Sequence, residues 1–354
     1  MKNIKNQLAL LSIILLSFSS CVKDNIENTN IENFDLLWTI LDENYSGFGV
    51  RNVDWDAVKE IYRPQALQAS TEDELFVICN KMVDDELNDG HNTVKDRNGN
   101  SYQGGGVSIP IEDLYDIEVI ETNYLESSFE KFASGDVPIE TRYNITGKIK
   151  DENIGYLHLF QMEPVGNSNI DGWEAKMDEF LEEIKDTDAL IIDLRLNGGG
   201  ETPIGLYLAD RFAATEELAF NIQTKNGPGH DDFNEPTPFY IKPDGSSQYT
   251  KPIVVLTDDN SASNAEDFTL KMVTQDHVTH MGTTSAGIFS NISLQRYLPN
   301  GWSVAFSHEL YTYPDGTSSP EGIGVIPEIE IINTPTDWQS GTDKVLEAAI
   351  DFLK

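Results

Sequence analysis

An α/β core preceded by a small helical domain is the fold class this sequence predicts, and three observations carry it. From Ile154 onward strand-like and helix-like stretches alternate, the pattern of a sheet flanked by helices. Within that region the run Ala189-Leu190-Ile191-Ile192 is wholly apolar, as a strand covered on both faces must be. Residues 34–87 instead space their apolar side chains at helical intervals. A chain of 354 residues is long enough to bury a full core, as one large domain with an accessory piece or as two domains.

The elements follow in order. Lys2 and Lys5 precede an apolar run from Leu8 to Phe18, too short to span a bilayer but suited to the core of a secretory signal. Small residues Ser19 and Ser20 before Cys21 resemble a bacterial lipoprotein cleavage site, which implies that residues 1–20 are removed and that Cys21 carries lipid. A plain signal peptide with an incidental cysteine is the alternative. Lys23-Asp24 resemble the short charged export signal of surface lipoproteins in Bacteroidetes-type bacteria, so the expected location is the cell envelope, in the periplasm or on the outer-membrane surface. Residues 21–32 are polar and serve as a tether.

Residues 33–95 form the helical domain. Thr71 with Glu74 makes a capping box ahead of Leu75, Ile78, Met82 and Val83, and Phe34, Leu37, Trp38 and Leu41 give a second apolar face. Cys79 lies inside this pattern and reads as an inert core thiol. With Cys21 acylated it has no partner for an intrachain disulfide. Residues 96–150 read as a strand-rich connector without a clear PDZ domain, and residues 151–354 as the core. In the core, a strand at 155–161 precedes a helix carrying Trp173, Met177, Phe180, Leu181 and Ile184. Further strands are expected at 253–256, 278–282, 292–298 and 303–307, and a last helix near Thr342 with Val345, Leu346, Ile350 and Leu353.

Composition limits function. Sixty acidic against 24 basic residues give a net charge of −36, which repels phosphate backbones and excludes nucleic acid as a partner. With 39% hydrophobic and 10% aromatic residues, the chain can bury enough surface to fold.

Three segments hold residues able to do chemistry. Asp193-Leu194-Arg195-Leu196-Asn197-Gly198-Gly199-Gly200 follows a buried strand, and glycines there let backbone N–H groups approach a ligand, as an oxyanion hole requires. No Lys-Ser or Lys-Thr follows, so it is not a phosphate loop. The segment 258–266 follows an apolar strand and opens a helix. Ser263 with Glu266 fits a capping box, and a hydroxyl at that position also feels the positive end of the helix dipole. The third segment is Pro320 to Pro327.

Together these segments resemble the tail-specific, or C-terminal processing, serine proteases, especially the branch related to the tricorn protease core. The resemblance rests on four ordered motifs, at 193–200, 261–266, 282–287 and 321–327. It implies a Clp-protease/crotonase-like α/β core, Ser263 as nucleophile, and backbone amides at Gly199, Gly200 and Asn264 as oxyanion donors. The lysine of the Ser/Lys branch is missing from Ala286-Gly287-Ile288-Phe289, whereas Leu87-Asn88-Asp89-Gly90-His91 and Glu321 match the tricorn-like branch. The resemblance therefore implies His91 as base and Glu321 as the residue that holds its imidazole, directly or through an intermediary. A serine precedes that histidine in the tricorn-like relay, and this chain has Gly90 instead. Histidine suits the task because its pKa lies near neutrality. No cofactor or metal is implied. The implied partners are a polypeptide substrate and, through the lipid, a membrane. The rival reading is a non-catalytic module on the same fold, like the retinoid carrier of the eye's interphotoreceptor matrix. A crotonase-type acyl-CoA enzyme fits the fold but not a secreted protein.

Overall fold

Helix caps and apolar faces divide the N-terminal region into four helices. A computed structural model describes residues 28–101, 115–136, 138–139, 142–166, 170–293 and 295–354. The expected signal segment, Cys21 and most of the expected tether lie outside the described residues, and residues 30–32 of that tether belong instead to the first helix. Thr29 caps α1 (Asn30–Asn44), accepting from Glu32 N–H at 3.4 Å. The short α2 (Phe48–Arg51) ends at Asn52, whose φ of 54° turns the chain. Asp54 caps α3 (Trp55–Gln68), and Thr71 caps α4 (Glu72–Leu87). The capping box expected there closes one residue further out, with Glu74 accepting from Ser70 N–H at 2.7 Å. Asn88, at φ 46°, stops α4 and starts the loop that carries His91.

Phe34, Leu37, Trp38 and Leu41 pack against Leu75, Cys79, Met82 and Val83 in one cluster. Burial pushes the Cys79 thiol far up, as expected of an inert core cysteine. Leu298, Trp302, Val304 and Phe306 join the same cluster from the far end of the chain. Strand β1 (Thr93–Lys95) also pairs antiparallel with residues 303–305. The helical domain thus shares its core with a hairpin 200 residues away, a long-range pairing that periodicity does not reveal.

The connector is likewise part of the core. After a helical turn, α5 (Ile117–Val119), come β2 (Glu130–Phe132) and β3 (Asn144–Lys148), which extend the main sheet beyond β4 (Ile154–His158). The boundary expected at 150 therefore falls inside a sheet. Helix α6 (Ile170–Ile184), β5 (Ala189–Asp193) and α7 (Thr202–Asp210) follow, then β6 (Glu217–Thr224) and β7 (Thr237–Ile241). Next are β8 (Ile253–Thr257), α8 (Asn264–Met272), β9 (Val278–Gly282), β10 (Arg296–Tyr297), β11 (Ser303–Ala305) and β12 (Glu309–Thr312). The chain closes with β13 (Ile329–Glu330), α9 (Pro335–Gln339) and α10 (Lys344–Phe352).

The seven-stranded sheet runs β13-β9-β8-β5-β4-β3-β2. Its strands are parallel from β13 to β4, and β3 and β2 are antiparallel. Every residue of β5 and β8 is buried, and alternate side chains serve opposite faces. Leu190, Ile192 and Val255 meet α6, α7 and α8 through Trp173, Phe180, Ile204, Leu208 and Phe268. Ile191, Val254 and Leu256 meet α10 through Val345, Leu346 and Ile350. Each such side chain contributes about 1.5–3 kcal/mol on burial. The expected strands at 292–298 and 303–307 shorten to β10 and β11 and join β1 in a separate sheet. A third sheet, β12-β6-β7, has no counterpart among the sequence expectations, because its half-exposed strands lack an apolar run.

Candidate active site

Because β5 and β8 are parallel neighbours, their C-terminal ends bring segments 194–200 and 258–263 side by side. The first is a heavily bonded scaffold. Arg195 Nη2 lies 2.6 Å from Asp193 Oδ2 and 2.8 Å from Asp343 Oδ2, all three buried, and Asp343 also caps α10. Asp193 and Arg195 thereby fasten the strand end to the last helix. Asp258 Oδ1 accepts from Leu196 N–H at 3.0 Å, and Asn197 Nδ2 donates to Leu159 O at 2.8 Å.

Ser261 and Ser263 have opposite characters. Ser261 is fully buried, donates to Leu194 O at 2.8 Å and accepts from Asp258 N–H at 2.9 Å. Ser263, half-buried at the mouth of α8, has φ 56° and ψ −126°. A non-glycine residue in such a conformation costs about 1–3 kcal/mol and persists only where its surroundings hold it. Here its N–H donates to Ile288 O at 2.9 Å and to Glu266 Oε2 at 3.2 Å. The expected capping box is therefore present: Glu266 Oε2 accepts from the Ser263 N–H and the Ser263 side chain faces the Glu266 N–H, whose hydrogen bond goes to Ser263 O at 2.8 Å. Oγ sits at the positive end of the helix.

The three expected oxyanion donors separate. Gly199 N–H donates to Asn197 Oδ1 at 2.8 Å, so this amide is already committed, which corrects its assignment as a donor. Its contribution is space: at φ 104°, a Cβ on Gly199 would lie 2.8 Å from Ser263 Cβ. Among the described residues the N–H groups of Gly200 and Asn264 have no acceptor, and Asn264 is the first residue of α8. The Asn264 side chain is held by Glu201 O at 2.7 Å. Beside these amides opens a cleft of about 340 Å³ lined by Phe160, Leu196, Gly198, Gly199, Gly200 and Asn260.

His91 and Glu321 both arrive at this region, but no hydrogen bond joins them. The His91 ring faces the Ser290 main chain, and its Nδ1 is buried without a partner among the described residues. Burial lowers its pKa below the ordinary 6.5, with Asp89 opposing, so the ring is neutral at neutral pH. No hydrogen bond links it to Ser263. Glu321 is buried and paired with Arg51, whose Nη2 lies 2.6 Å from Oε1, and its Oε2 accepts from Phe289 N–H at 3.2 Å. Of the two links the sequence left open, direct or through an intermediary, the direct one is not made, and Glu321 pairs with Arg51 instead. Burial and Asp89 push the Glu321 carboxyl up to about 7 against the pull of Arg51.

Sequence reasoning passed over Arg51, which carries no motif, and saw in Glu266 only a cap. Glu266 also accepts from Ser285 Oγ at 2.5 Å, Gly287 N–H at 2.7 Å and Ile288 N–H at 2.8 Å. Burial outweighs these bonds and pushes it up to about 7. His158 and His280 sit in strands as expected, held neutral by burial with pKa values near 4.

The model of peptidase family S41 matches residues 153–331, and the tricorn protease C1 domain matches residues 27–84. The chain belongs to peptidase family S41. A carboxy-terminal-processing protease of Bartonella bacilliformis is 31% identical over 212 residues, covering 58% of this chain and 44% of that protein. A crystal structure of a peptidase candidate from Parabacteroides merdae is 30% identical with a TM-score of 0.76, covering 92% of this chain and 97% of that one. Mature CPAF, at 13% identity and a TM-score of 0.65, covers 91% of this chain and 95% of its own, and shares the fold. The chain spans less than half the length of the curated relatives it matches. The mixed α/β core with a helical N-terminal region is the fold of this S41 member.

Proposed function

We propose that this chain is a serine endopeptidase that cleaves polypeptide substrates through an acyl-enzyme on Ser263. One observation carries the reading: Ser263 is held in a strained conformation at the start of α8, with Oγ at the helix's positive end and two acceptor-less amides beside it. Ser263 Oγ attacks the scissile carbonyl, and His91 takes its proton and returns it to the leaving amine. The carbonyl oxygen, becoming an oxyanion, receives the N–H groups of Gly200 and Asn264. Such preorganised donors contribute about 2.7–4 kcal/mol each to the transition state. Water then releases the acyl group by the same path. Hydrogen bonds between base and nucleophile are commonly long in free enzymes and tighten around substrate. The names of the processing proteases it resembles support a C-terminal processing role.

A fluorophosphonate probe tests this directly, since it labels only an activated serine. Labelling mapped to Ser263 and abolished in Ser263→Ala supports the peptidase. A folded protein that stays unlabelled would favour the carrier reading. We further propose that Cys21 anchors the mature chain in the cell envelope. Acyl chains contribute about 0.8 kcal/mol per buried CH₂, so Cys21→Ser should move the protein from the membrane to the soluble fraction.

A further inference from the structure

Four consecutive residues, Gly287 to Ser290, touch Arg51, Ser263, Glu266, Glu321 and His91. Gly287 O accepts from Arg51 Nη2 at 2.9 Å, and Ile288 O accepts from Ser263 N–H at 2.9 Å. Phe289 N–H donates to Glu321, and the Ser290 main chain faces the His91 ring. From beneath, Glu266 accepts both the Gly287 and Ile288 amides. This strap therefore sets the spacing between a nucleophile on the core and a base on the helical domain.

Arg51 hydrogen-bonds both the strap and the base-bearing loop. Its Nη1 donates to Asn88 O at 2.5 Å, three residues before His91, while its Nη2 reaches Gly287 O and Glu321. Its Nε lies 4.0 Å from Asp89 Oδ2. The guanidinium side chain is only 7% exposed, so these contacts are not loosened by solvent. A rigid planar fork meets acceptors on three segments from separate nitrogens, a span that the single nitrogen of a lysine does not cover.

We propose that Arg51 is a positioning residue that clamps the His91 loop, the 287–290 strap and Glu321 together. Glu321 then serves the reaction through Arg51 and Phe289, without touching the imidazole. The inference rests on the peptidase reading for its effect on turnover, but the clamp itself is measurable without activity.

Arg51→Ala should speed hydrogen exchange at the amides of 287–290 and 88–91 while distant strands such as β5 keep their protection. It should lower kcat roughly 10²-fold with little change in KM, the scale of a displacement of about 1 Å. Arg51→Lys keeps the charge but not the fork, and should lose only about 10-fold. The acid limb of kcat/KM supplies the readout that a general loss of folding would not move. The charged and titratable groups facing Glu321 are Arg51, Asp89, Tyr45 and Tyr311. Removing the one cation raises the pKa of Glu321, so the limb moves to higher pH in Arg51→Ala, stays near its place in Arg51→Lys, and does not make that move in Arg51→Ala/Glu321→Gln. Unchanged exchange at 287–290, or equal loss in both single variants without a shifted limb, overturns the clamp. Absence of fluorophosphonate labelling in the wild type would overturn the peptidase reading alone, because exchange still reports on Arg51.

Discussion

Two serines two residues apart separate catalysis from support. Ser263→Ala removes no more than the serine half of a capping box, about 0.5–2 kcal/mol, so activity should vanish while the thermal midpoint moves little. Ser261→Ala leaves the Asp258 amide without its partner inside the core and takes from Leu194 O one of its two donors, the other being Asn197 N–H. That change should cost about 1–3 kcal/mol and lower the midpoint, yet leave Ser263 open to fluorophosphonate. Unfolding curves and labelling rates of the two variants should therefore rank in opposite order. A common ranking would mean that the nucleophile is misassigned. Gly199→Ala tests the neighbouring backbone, since its methyl would meet Ser263 Cβ at 2.8 Å and sit at an unfavourable φ.

Among the elements, the strap depends on Glu266, which has four donors aimed at one carboxylate. Its pKa in the fold, about 7, exceeds the ordinary 4.5 because burial dominates. A raised pKa means that the folded state binds the proton more tightly. Its contribution is full below pH 4.5 and is lost as pH rises through about 7. Denaturant midpoints should therefore decline over that window more steeply in the wild type than in Glu266→Gln, whose amide does not titrate. Equal slopes would remove Glu266 from this role. The same residue shows what sequence conveys. Its three-residue spacing from Ser263 reveals the cap, as the unbroken apolar runs reveal β5 and β8. The bonds to Ser285, Gly287 and Ile288 arise from a loop about 20 residues on, and no local pattern encodes them. Arg51 is further out of reach, because a basic residue at the end of a four-residue helix looks like a solvated charge until the fold places Glu321 against it. Strands β2 and β3 fall in the expected connector for a similar reason: short antiparallel strands read the same whether or not a sheet awaits them.

At the scale of the molecule, two long-range features decide how the site stays assembled. One is the charge of −36, whose self-repulsion opposes the compact state. Salt at about 0.15 M screens charges beyond roughly 8 Å, so the thermal midpoint should rise between low and physiological ionic strength. The other is the shared core between the helical domain and the β10–β11 hairpin. Trp302 is 3% exposed and packs edge-on against Phe76 of α4, with ring centroids 5.0 Å apart. The neighbouring β11 holds β1 with Thr93 opposite Ala305, only two residues after His91. Trp302→Ala should cost about 3–5 kcal/mol for the cavity it leaves. Because the cluster spans both parts of the chain, the loss should lower a single cooperative transition, seen alike by far-ultraviolet circular dichroism and by tryptophan fluorescence. Activity should fall with it at temperatures below the midpoint, since the β1 pairing that carries His91 to the core weakens. A variant in which one early transition separates from an unaltered later one would show that the helical domain folds and docks independently, and would leave the placement of His91 to Arg51 alone.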